Sequence, residues 1–568
     1  MANLEDLIQA RTKSLDKYLQ NDKDTNFLIP FSQRKYEWDK PEVRRLFNDL
    51  TSLYGLSNDE VHMLNFFTFS RDDENNLKIF DGQQRTVTCM LILAVIAQKL
   101  YQSGDTEAAE QISDSYFIKK DKLRKETPVQ QKLTFDSAED NEFFYKVTNF
   151  QFNLEEEFES KKPNEYINNQ KTIARNMIFI DQLLNEFIKS NENVDLSKLV
   201  VSITDRTLLV EFIANSEEIA LSMFESLNNT GKSIEKYYVL KNDMVKCLGE
   251  DEVKPIWNVI DANLSELNHN SFLNATATLF KGKTTNKVAL ENLYSNTDIN
   301  SIEDMKQLLV FLREASEEYL KICNANQMEY SDTRIRDTYR RYIKNLSVFN
   351  MKQHIPVILA MLMINTDLKD INRVLRVILE FTVKNFYFDE QKANKIELKF
   401  TSYANKVYNK EMSIDILIES IQKLCIDDKQ LHEAILNKTI SQNSRIAFIL
   451  RETYNYAYQN KEIEVSGINN DVEHILPRNP DENSKWMSWF ADDELREKWT
   501  YSIGNLTLWF EKDNRGSKNA DFDKKKEKYI DSSLEENRRI ASNDQWTIHE
   551  IQNRANYLAD EIIQAFDD

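Results

Sequence analysis

Glycine and proline are scarce in this chain of 568 residues, which has nine of the first and eight of the second. Their scarcity disfavours turn-rich sandwiches and barrels and favours helices. Cysteine is scarce too, since only Cys89, Cys247, Cys323 and Cys425 occur, without a CxxC pair. A disulfide framework and a thiolate zinc site are therefore not expected, and a reducing compartment is favoured.

Long hydrophobic runs and an excess of basic side chains are missing as well. The longest apolar stretches hold about ten residues, half of what a bilayer span needs, and the first residues lack the pattern of a signal peptide. Lys and Arg number 73 against 93 Asp and Glu, a formal charge of −20. Such a chain does not coat nucleic acid through a general positive field, so any polyanion site must be local. We expect a cytoplasmic protein without a membrane partner.

The chain does hold ample core material, with 31 Phe and 23 Tyr, and its length suggests about two to four domains. Short β-type runs such as NLKIFD and TLLVEFIA alternate with helical patterns over residues 1–250, which predicts an α/β or α+β domain. Residues 251–458 repeat apolar positions at helical spacing and predict a helical bundle. Five of the seven Trp lie beyond residue 480, which favours a third domain over residues 459–568. The predicted fold class is multidomain and mainly α.

The most informative stretch lies late in the chain, where DVEHILPRNP is followed by SIGNLTLWFEKDNRGSKNADFDKKKEKY. Glu473 beside His474, Asn505 about thirty residues on and Asn514 nine residues later resemble the His-Me finger (HNH, ββα-metal) nucleases. The resemblance implies that Asn505 is structural, because the matching Asn ties the loop between the two strands and orients the His. The alternative is an ordinary strand end with turn and cap asparagines. Four positions that match in type and order argue against it.

The chemistry of phosphodiester hydrolysis explains these residue types. The attacking water must lose its proton near neutral pH, and a neutral His is suited to take it, so we assign that role to His474. One divalent ion stabilises the charge that develops on the phosphate and leaving oxygens. Glu473 and Asn514 would be its ligands, with Asp471 as an additional or water-mediated ligand. These hard oxygen donors favour Mg²⁺ or Mn²⁺.

Two further motifs precede the first long predicted helix: IPFSQRKYEW at residues 29–38 and IFDGQQRTVT at residues 79–88. The second predicts a strand, a tight turn at Gly82 and a helix whose first N–H groups form an anion site. Arg85 offers a forked donor for phosphate oxygens, on which Arg34 could converge. Asp81 could hold a metal or position a water. The alternative is a helix capped by Asp81 with Arg85 on the surface.

The two motifs together resemble the ParB-like (sulfiredoxin-like) domain of modification-dependent restriction proteins. ALSMFESLNNTGKSIEKYYVLKNDMV at residues 220–245 resembles the segment that follows in that domain. The resemblance implies binding and hydrolysis of a nucleoside triphosphate (NTP) whose base stays open, with Asp81 and Arg85 acting in catalysis. The predicted nucleotide-binding residues are Gln33, Arg34, Asp81, Gly82, Gln83, Gln84 and Arg85.

Basic tracts stand out against the acidic background. RIRDTYRRYIK at residues 334–344 and the stretch 392–410 interleave Tyr with Lys and Arg, a mixture that suits phosphates and bases. A solvated helix face is the alternative for both. The KKKEK run at residues 524–528 follows the predicted metal site and is the stronger candidate for gripping DNA. The candidate DNA contacts are Arg340, Arg341, Lys524, Lys525 and Lys526.

The order of these parts is similar to that of the GmrSD-type (type IV, modification-dependent) restriction endonuclease family. This resemblance implies an anti-phage enzyme in which NTP binding or hydrolysis regulates metal-dependent cleavage or nicking of modified phage DNA. Two other classes stay open: an RNA-cleaving abortive-infection toxin and a non-catalytic DNA-binding regulatory protein. The sequence leaves undecided which modification is sensed, whether NTP activates or inhibits cutting, and whether the chain forms a homodimer.

Overall fold

A computed structural model gives the fold. It describes residues 7–21, 25–56, 60–72, 74–119, 129–152, 166, 168–191, 193–228, 236–282, 288–391, 393–441, 444–458, 470–510 and 519–567, without the side chains of 168, 225–228, 393–395, 470, 471 and 510. The contacts divide the chain into two compact units, Met1–Asn258 and Val259–Asp568. The chain is mostly helical with an α/β region in its N-terminal part, as the sequence predicts. The boundary expected at residue 458 falls inside the second unit, so a separate third domain stays a prediction.

A mixed sheet lies in the first unit. The strands of this unit are β1 (Ile8–Ser14), β2 (Phe27–Ile29), β3 (His62–Arg71), β4 (Leu77–Asp81), β5 (Ile118–Lys119), β6 (Gln130–Gln131), β7 (Leu133–Phe135) and β8 (Thr207–Ala214). Six of them form the sheet in the order β1, β8, β3, β4, β2, β7, while β5 pairs with β6. β3 runs antiparallel to β4 and parallel to β8. The predicted strands NLKIFD and TLLVEFIA are confirmed as β4 and β8.

Helices pack around this sheet, and one of them forms much of the core. They are α1 (Leu15–Gln20), α2 (Lys40–Thr51), α3 (Gln83–Gln102), α4 (Thr106–Tyr116), α5 (Ala138–Thr148), α6 (Asn168–Ser190), α7 (Leu196–Arg206), α8 (Glu217–Asn228), α9 (Lys236–Leu248) and α10 (Glu250–Asn263). In α3 every residue from Val87 to Ala97 is at most 1% exposed. Because α3 follows β4 after Gly82 alone, its first turn is fixed at the end of that strand.

The predicted helical middle is confirmed, because the described residues between 269 and 457 form helices and no strand. The α-helices are α11 (His269–Lys281), α12 (Ala289–Leu293), α13 (Ile302–Cys323), α14 (Thr333–Val348), α15 (His354–Met363), α16 (Leu368–Phe381), α17 (Ala393–Tyr408), α18 (Ile414–Gln422), α19 (Asp428–Asn437) and α20 (Ser444–Ala457). α13 buries Met305, Leu308, Leu309 and Leu312, the spacing of an amphipathic helix. Across the part of the chain that the structure describes, no helix is long and apolar enough to cross a membrane.

The last part of the chain combines a two-stranded sheet with helices. β9 (Asn470–His474) and β10 (Leu506–Phe510) are antiparallel, with His474 opposite Leu506. The helices are α21 (Lys485–Trp489), α22 (Asp493–Thr500), α23 (Phe522–Ile530), α24 (Glu535–Ala541) and α25 (Ile548–Asp567). α25 presses on the turn before β10, where a Cβ on Gly504 would lie 2.0 Å from the carbonyl oxygen of Ile551. This close approach requires glycine in the GNLTL motif.

Candidate functional site

His474 is the last residue of β9, and its imidazole is only 6% exposed. The ring packs edge-on against Tyr501, with 5.9 Å between ring centroids. Within the described residues, Nε2 of His474 has no hydrogen-bond partner. Buried polar atoms are normally hydrogen-bonded, and an exception is often a functional group that awaits water or a ligand. Sequence reasoning did not single out Tyr501, because one Tyr in a Trp-rich spacer carries no signal of its own.

The surroundings of His474 keep its ring neutral. Burial lowers its pKa to about 4, and the nearby cations Arg478 and Lys525 act in the same direction. At pH 7 the imidazole is therefore uncharged and one ring nitrogen is free to accept a proton. This is the protonation state that a general base requires.

Asn505 is fully buried and clamps the chain that follows His474. Its Oδ1 accepts hydrogen bonds from the N–H of Leu476 at 2.7 Å and from the indole of Trp546 at 3.2 Å. Its Nδ2 donates to the carbonyl oxygens of Leu476 and Thr500, each at 3.0 Å. All the side chain's recorded contacts are thus internal, so Asn505 acts on the position of the loop rather than on a substrate.

Glu473 lies beside His474 and forms an ion pair with a buried lysine. Nζ of Lys525 is 2.6 Å from Oε1 of Glu473 and 2.6 Å from the carbonyl oxygen of His474. Lys525 is 2% exposed, so the expectation that it grips DNA from the surface needs correction. Its neighbours differ: Lys524 is exposed, while Lys526 donates to the carbonyl oxygen of Asn543.

Of the predicted metal ligands, the structure describes the side chain of Glu473 alone. Glu473 offers a hard oxygen, since Oε1 binds Lys525 and no recorded contact among the described residues involves Oε2. Asn514 lies outside the described residues, and Asp471 is described by its backbone alone, opposite Trp509. The described Asp, Glu, His and Cys side chains form no cluster of three. The donor chemistry of Glu473 fits one position of an oxygen-liganded Mg²⁺ or Mn²⁺.

A buried polar network supports β10 from behind. Arg554, 8% exposed, donates to the carbonyl oxygens of Gly504 at 3.0 Å and Leu506 at 2.6 Å. Asn537, fully buried, donates to the carbonyl oxygen of Leu508 at 3.1 Å. These bonds tie α24 and α25 to the strand opposite His474. The site is therefore held by helices that come later in the chain.

In the N-terminal unit the two glutamines of DGQQR bind the backbone of the first motif. Oε1 of Gln84 accepts from the N–H groups of Glu37 at 2.8 Å and Trp38 at 3.2 Å. Nε2 of Gln83 donates to the carbonyl oxygen of Arg34 at 3.1 Å. Oε1 of Gln83 is buried, and no described residue pairs with it. Gln84 thus acts as a structural link, while Gln83 keeps one acceptor available.

At the start of α3, the side chain of Arg85 is engaged by β3 and by Asp81. Its guanidinium donates to the carbonyl oxygens of Leu64 and Phe66 on β3 and lies 4.5 Å from the ring of Phe67. It also pairs with Asp81, 3.1 Å from Oδ1. The expectation of an Arg85 free to face phosphate therefore needs correction for this structure. The pair holds β3, β4 and the first turn of α3 together.

Gly82 joins Asp81 to α3 in a left-handed conformation, with φ of 95°. A Cβ at this position would lie 2.2 Å from the ring of Phe67. Glycine is therefore required by the backbone angle and by the close approach of β3. The N–H of Gly82 is taken by Oδ1 of Asp81 at 2.7 Å, so Asp81 already caps the turn.

The third motif meets the first through α9. The hydroxyl of Tyr238 donates to the carboxylate of Glu37, and Nζ of Lys241 lies 3.7 Å from the ring centroid of Phe31. All three N-terminal motifs therefore converge on the loop of residues 30–39. In that loop Gln33 is buried, while Arg34 is exposed to solvent.

Two family models match the chain. One, described as GmrSD restriction endonuclease, N-terminal domain, matches residues 15–245, and the other, described as GmrSD restriction endonucleases, C-terminal domain, matches residues 425–561. The chain belongs to the GmrSD restriction endonuclease family. No curated protein matches it in sequence. As a type IV restriction endonuclease of the GmrSD kind, it has DNA as its substrate.

The remaining basic residues of this GmrSD endonuclease divide into structural and exposed groups. The guanidinium of Arg340 donates to the carbonyl oxygens of Ala325, Asn326 and Met328 and so closes a turn, and its role as a DNA contact stays a prediction. Arg341 is exposed beside the ring of its neighbour. For the exposed Arg341 and Lys524 the role in binding DNA stays a prediction.

Proposed function

We propose that this GmrSD endonuclease cleaves or nicks modified phage DNA through a metal-dependent His-Me finger site. One observation carries the proposal: a buried, neutral imidazole beside Glu473, at the end of β9 in a unit of two antiparallel strands followed by a helix. No described residue forms a hydrogen bond with Nε2 of His474. A ring nitrogen in that position can take a proton from the attacking water.

The other residues of the site position the base or hold the ion. Glu473 would bind one Mg²⁺ or Mn²⁺ together with Asn514, the ligand that the family resemblance assigns. Asp471, two residues before Glu473 on the same strand, would be an additional or water-mediated ligand. The ion would supply Lewis-acid stabilisation of the charge on the phosphate oxygens. Asn505 keeps the strand end fixed through its two hydrogen bonds to Leu476.

We expect cleavage to require a divalent ion and to be weakened in the Asn514→Ala variant. The loss of one oxygen ligand lowers metal affinity before it destroys the mechanism, so raised Mn²⁺ should partly restore the rate. The rate of plasmid cleavage is measured against metal concentration for both proteins. Full activity of the wild type in EDTA would contradict the metal site.

We infer an NTP site in the N-terminal part, where α3 begins against the loop of residues 30–39. The first N–H groups of α3 and the exposed Arg34 are the anion contacts that support it. Gln83 adds an acceptor through its unpartnered Oε1, counted over the described residues. Asp81 and Arg85 are bonded to each other, so a catalytic role for them requires that this pair opens when nucleotide binds.

Arg34→Ala and Arg85→Ala should separate nucleotide contact from structural support. Removing the exposed Arg34 should weaken NTP binding roughly tenfold without changing the unfolding midpoint, because it loses a charge-assisted phosphate contact. Arg85→Ala should lower the unfolding midpoint, because two carbonyl oxygens lose their donor. Calorimetric titration with each NTP and thermal unfolding are the measurements. If both variants bind NTP as tightly as the wild type, the nucleotide does not bind at the start of α3 and the proposed site is wrong.

Cleavage assays with different nucleic acids decide among the candidate functions. Purified protein is incubated with modified phage DNA, unmodified DNA and total RNA, with Mg²⁺ and with or without each NTP. We expect cleavage of the modified DNA and a rate that depends on NTP. Cleavage of RNA alone would identify an RNA-cleaving toxin. DNA binding without cleavage under every divalent ion would identify a regulatory protein.

A further inference from the structure

Lys525 links the two residues on which the nuclease proposal depends. Its ammonium contacts the carboxylate of Glu473 and the main-chain carbonyl of His474, each at 2.6 Å, while its side chain is 2% exposed. A buried ammonium is costly unless it is paired and hydrogen-bonded. Both requirements are met here by residues of the site. Lys525 is thus built into the site rather than onto the surface that would face DNA.

The helix that carries Lys525 closes the back of the strand pair. Tyr529, one turn further along α23, is 2% exposed and packs on Trp509 of β10 with 4.8 Å between ring centroids. Phe522, on the same face, is fully buried. The three positions 522, 525 and 529 follow the i, i+3, i+7 spacing of a buried stripe. Lys525 therefore occupies a core position, and its charge is held there by the strand end.

We propose that Lys525 is a positioning residue of the nuclease site, an inference that rests on the proposed function. Lys525 bonds to one carboxylate oxygen of Glu473, Oε1, and the other oxygen would be available to hold the divalent ion. Its bond to the carbonyl oxygen of His474 fixes the strand end from which the imidazole projects. When DNA is absent, the positive charge of Lys525 would repel the divalent ion. A bound DNA phosphate would add the negative charge that offsets this repulsion. Metal binding and DNA binding would thereby reinforce each other.

Replacement of Lys525 by Met tests both halves of this proposal. Without DNA, calorimetry should show Mn²⁺ binding at least about tenfold tighter than in the wild type, because a nearby positive charge is gone. At saturating Mn²⁺, plasmid cleavage should be at least about tenfold slower, because the strand end is no longer fixed. If Lys525 served packing alone, at a distance from the ion, its replacement by Met would leave Mn²⁺ affinity unchanged. Lys498→Met removes an exposed lysine on α22 and should change neither quantity.

The outcomes separate this inference from the proposed function. If wild-type protein cuts DNA and Lys525→Met cuts equally fast, or binds Mn²⁺ no more tightly, the positioning role is wrong. If the wild type does not cut at all, the proposed function fails, and the Mn²⁺ titration still tests the charge argument. Circular dichroism checks the fold. If the Met variant does not fold, the Mn²⁺ titration is repeated with Lys525→Gln. This variant lacks the positive charge, while its amide can still donate to the carbonyl oxygen of His474.

Discussion

Substituting alanine for His474 should lower the rate of DNA cleavage by about 10²- to 10⁴-fold, the usual loss when a positioned base is removed. The circular dichroism spectrum should stay as in the wild type, and so should the nucleotide binding that we propose for the N-terminal part. The reason is that the imidazole has an unpartnered Nε2 over the described residues, so its loss breaks no internal hydrogen bond at that atom. Plasmid cleavage in the presence of Mg²⁺ is the measurement.

His549→Ala is the matched control, since His549 is exposed on α25. It should cut DNA at the wild-type rate. Cleavage by the His474 variant above the level of contaminating wild type would exclude His474 as the general base. A loss of the circular dichroism signal would instead indicate that the imidazole is needed for packing against Tyr501.

Gly504→Ala should destabilise the fold strongly. The new Cβ would lie 2.0 Å from the carbonyl oxygen of Ile551 and 2.9 Å from the amide nitrogen of Ala555, both main-chain atoms of α25. Neither can rotate away, so α25 must shift and the bonds of Arg554 to β10 must lengthen. Overpacking of this kind costs about 3 kcal/mol. The midpoint of thermal unfolding and the rate of DNA cleavage should both fall.

Gly55→Ala separates steric from conformational effects. Gly55 has φ of 79° with open space around its Cβ position, so alanine there costs about 1 kcal/mol from backbone strain alone. We expect this variant to cut DNA normally. Equal unfolding midpoints for Gly504→Ala and Gly55→Ala would show that α25 does not press on the turn as described.

Much of the fold follows from spacing in the sequence. The strands at 77–81 and 207–214 and the helical middle were predictable, because alternation and the 3.6-residue period reflect burial directly. The position of His474 at a strand end next to Glu473 was equally accessible. Family resemblance supplied the rest of the site, including Asn514, which lies beyond the described residues.

Side-chain partners were harder to predict. The amide of Gln84 could serve a ligand or a backbone, and only the fold shows that it binds Glu37 and Trp38. The sequence suggests that Arg85 donates hydrogen bonds to phosphate, yet in the structure its guanidinium donates to carbonyl oxygens of β3. Lys525 sits in a run of lysines that suggests a solvated face. Its helical phase with Phe522 was the available signal, because the two positions lie one turn apart.

The way α25 packs on the turn at Gly504 also bears on the order in which the proposed site is completed during synthesis. A ribosome makes β9, with the histidine that we propose as the base, and β10 well before it makes Ile551, Arg554 and Ala555. Until those residues emerge, the carbonyl oxygens at Gly504 and Leu506 lack their donor and the strand pair lacks its cover. A nascent or truncated chain that stops before α25 therefore carries the proposed site residues without the hydrogen bonds of Arg554 to β10. If the proposed site is correct, chain order alone should delay its completion until α25 has been made.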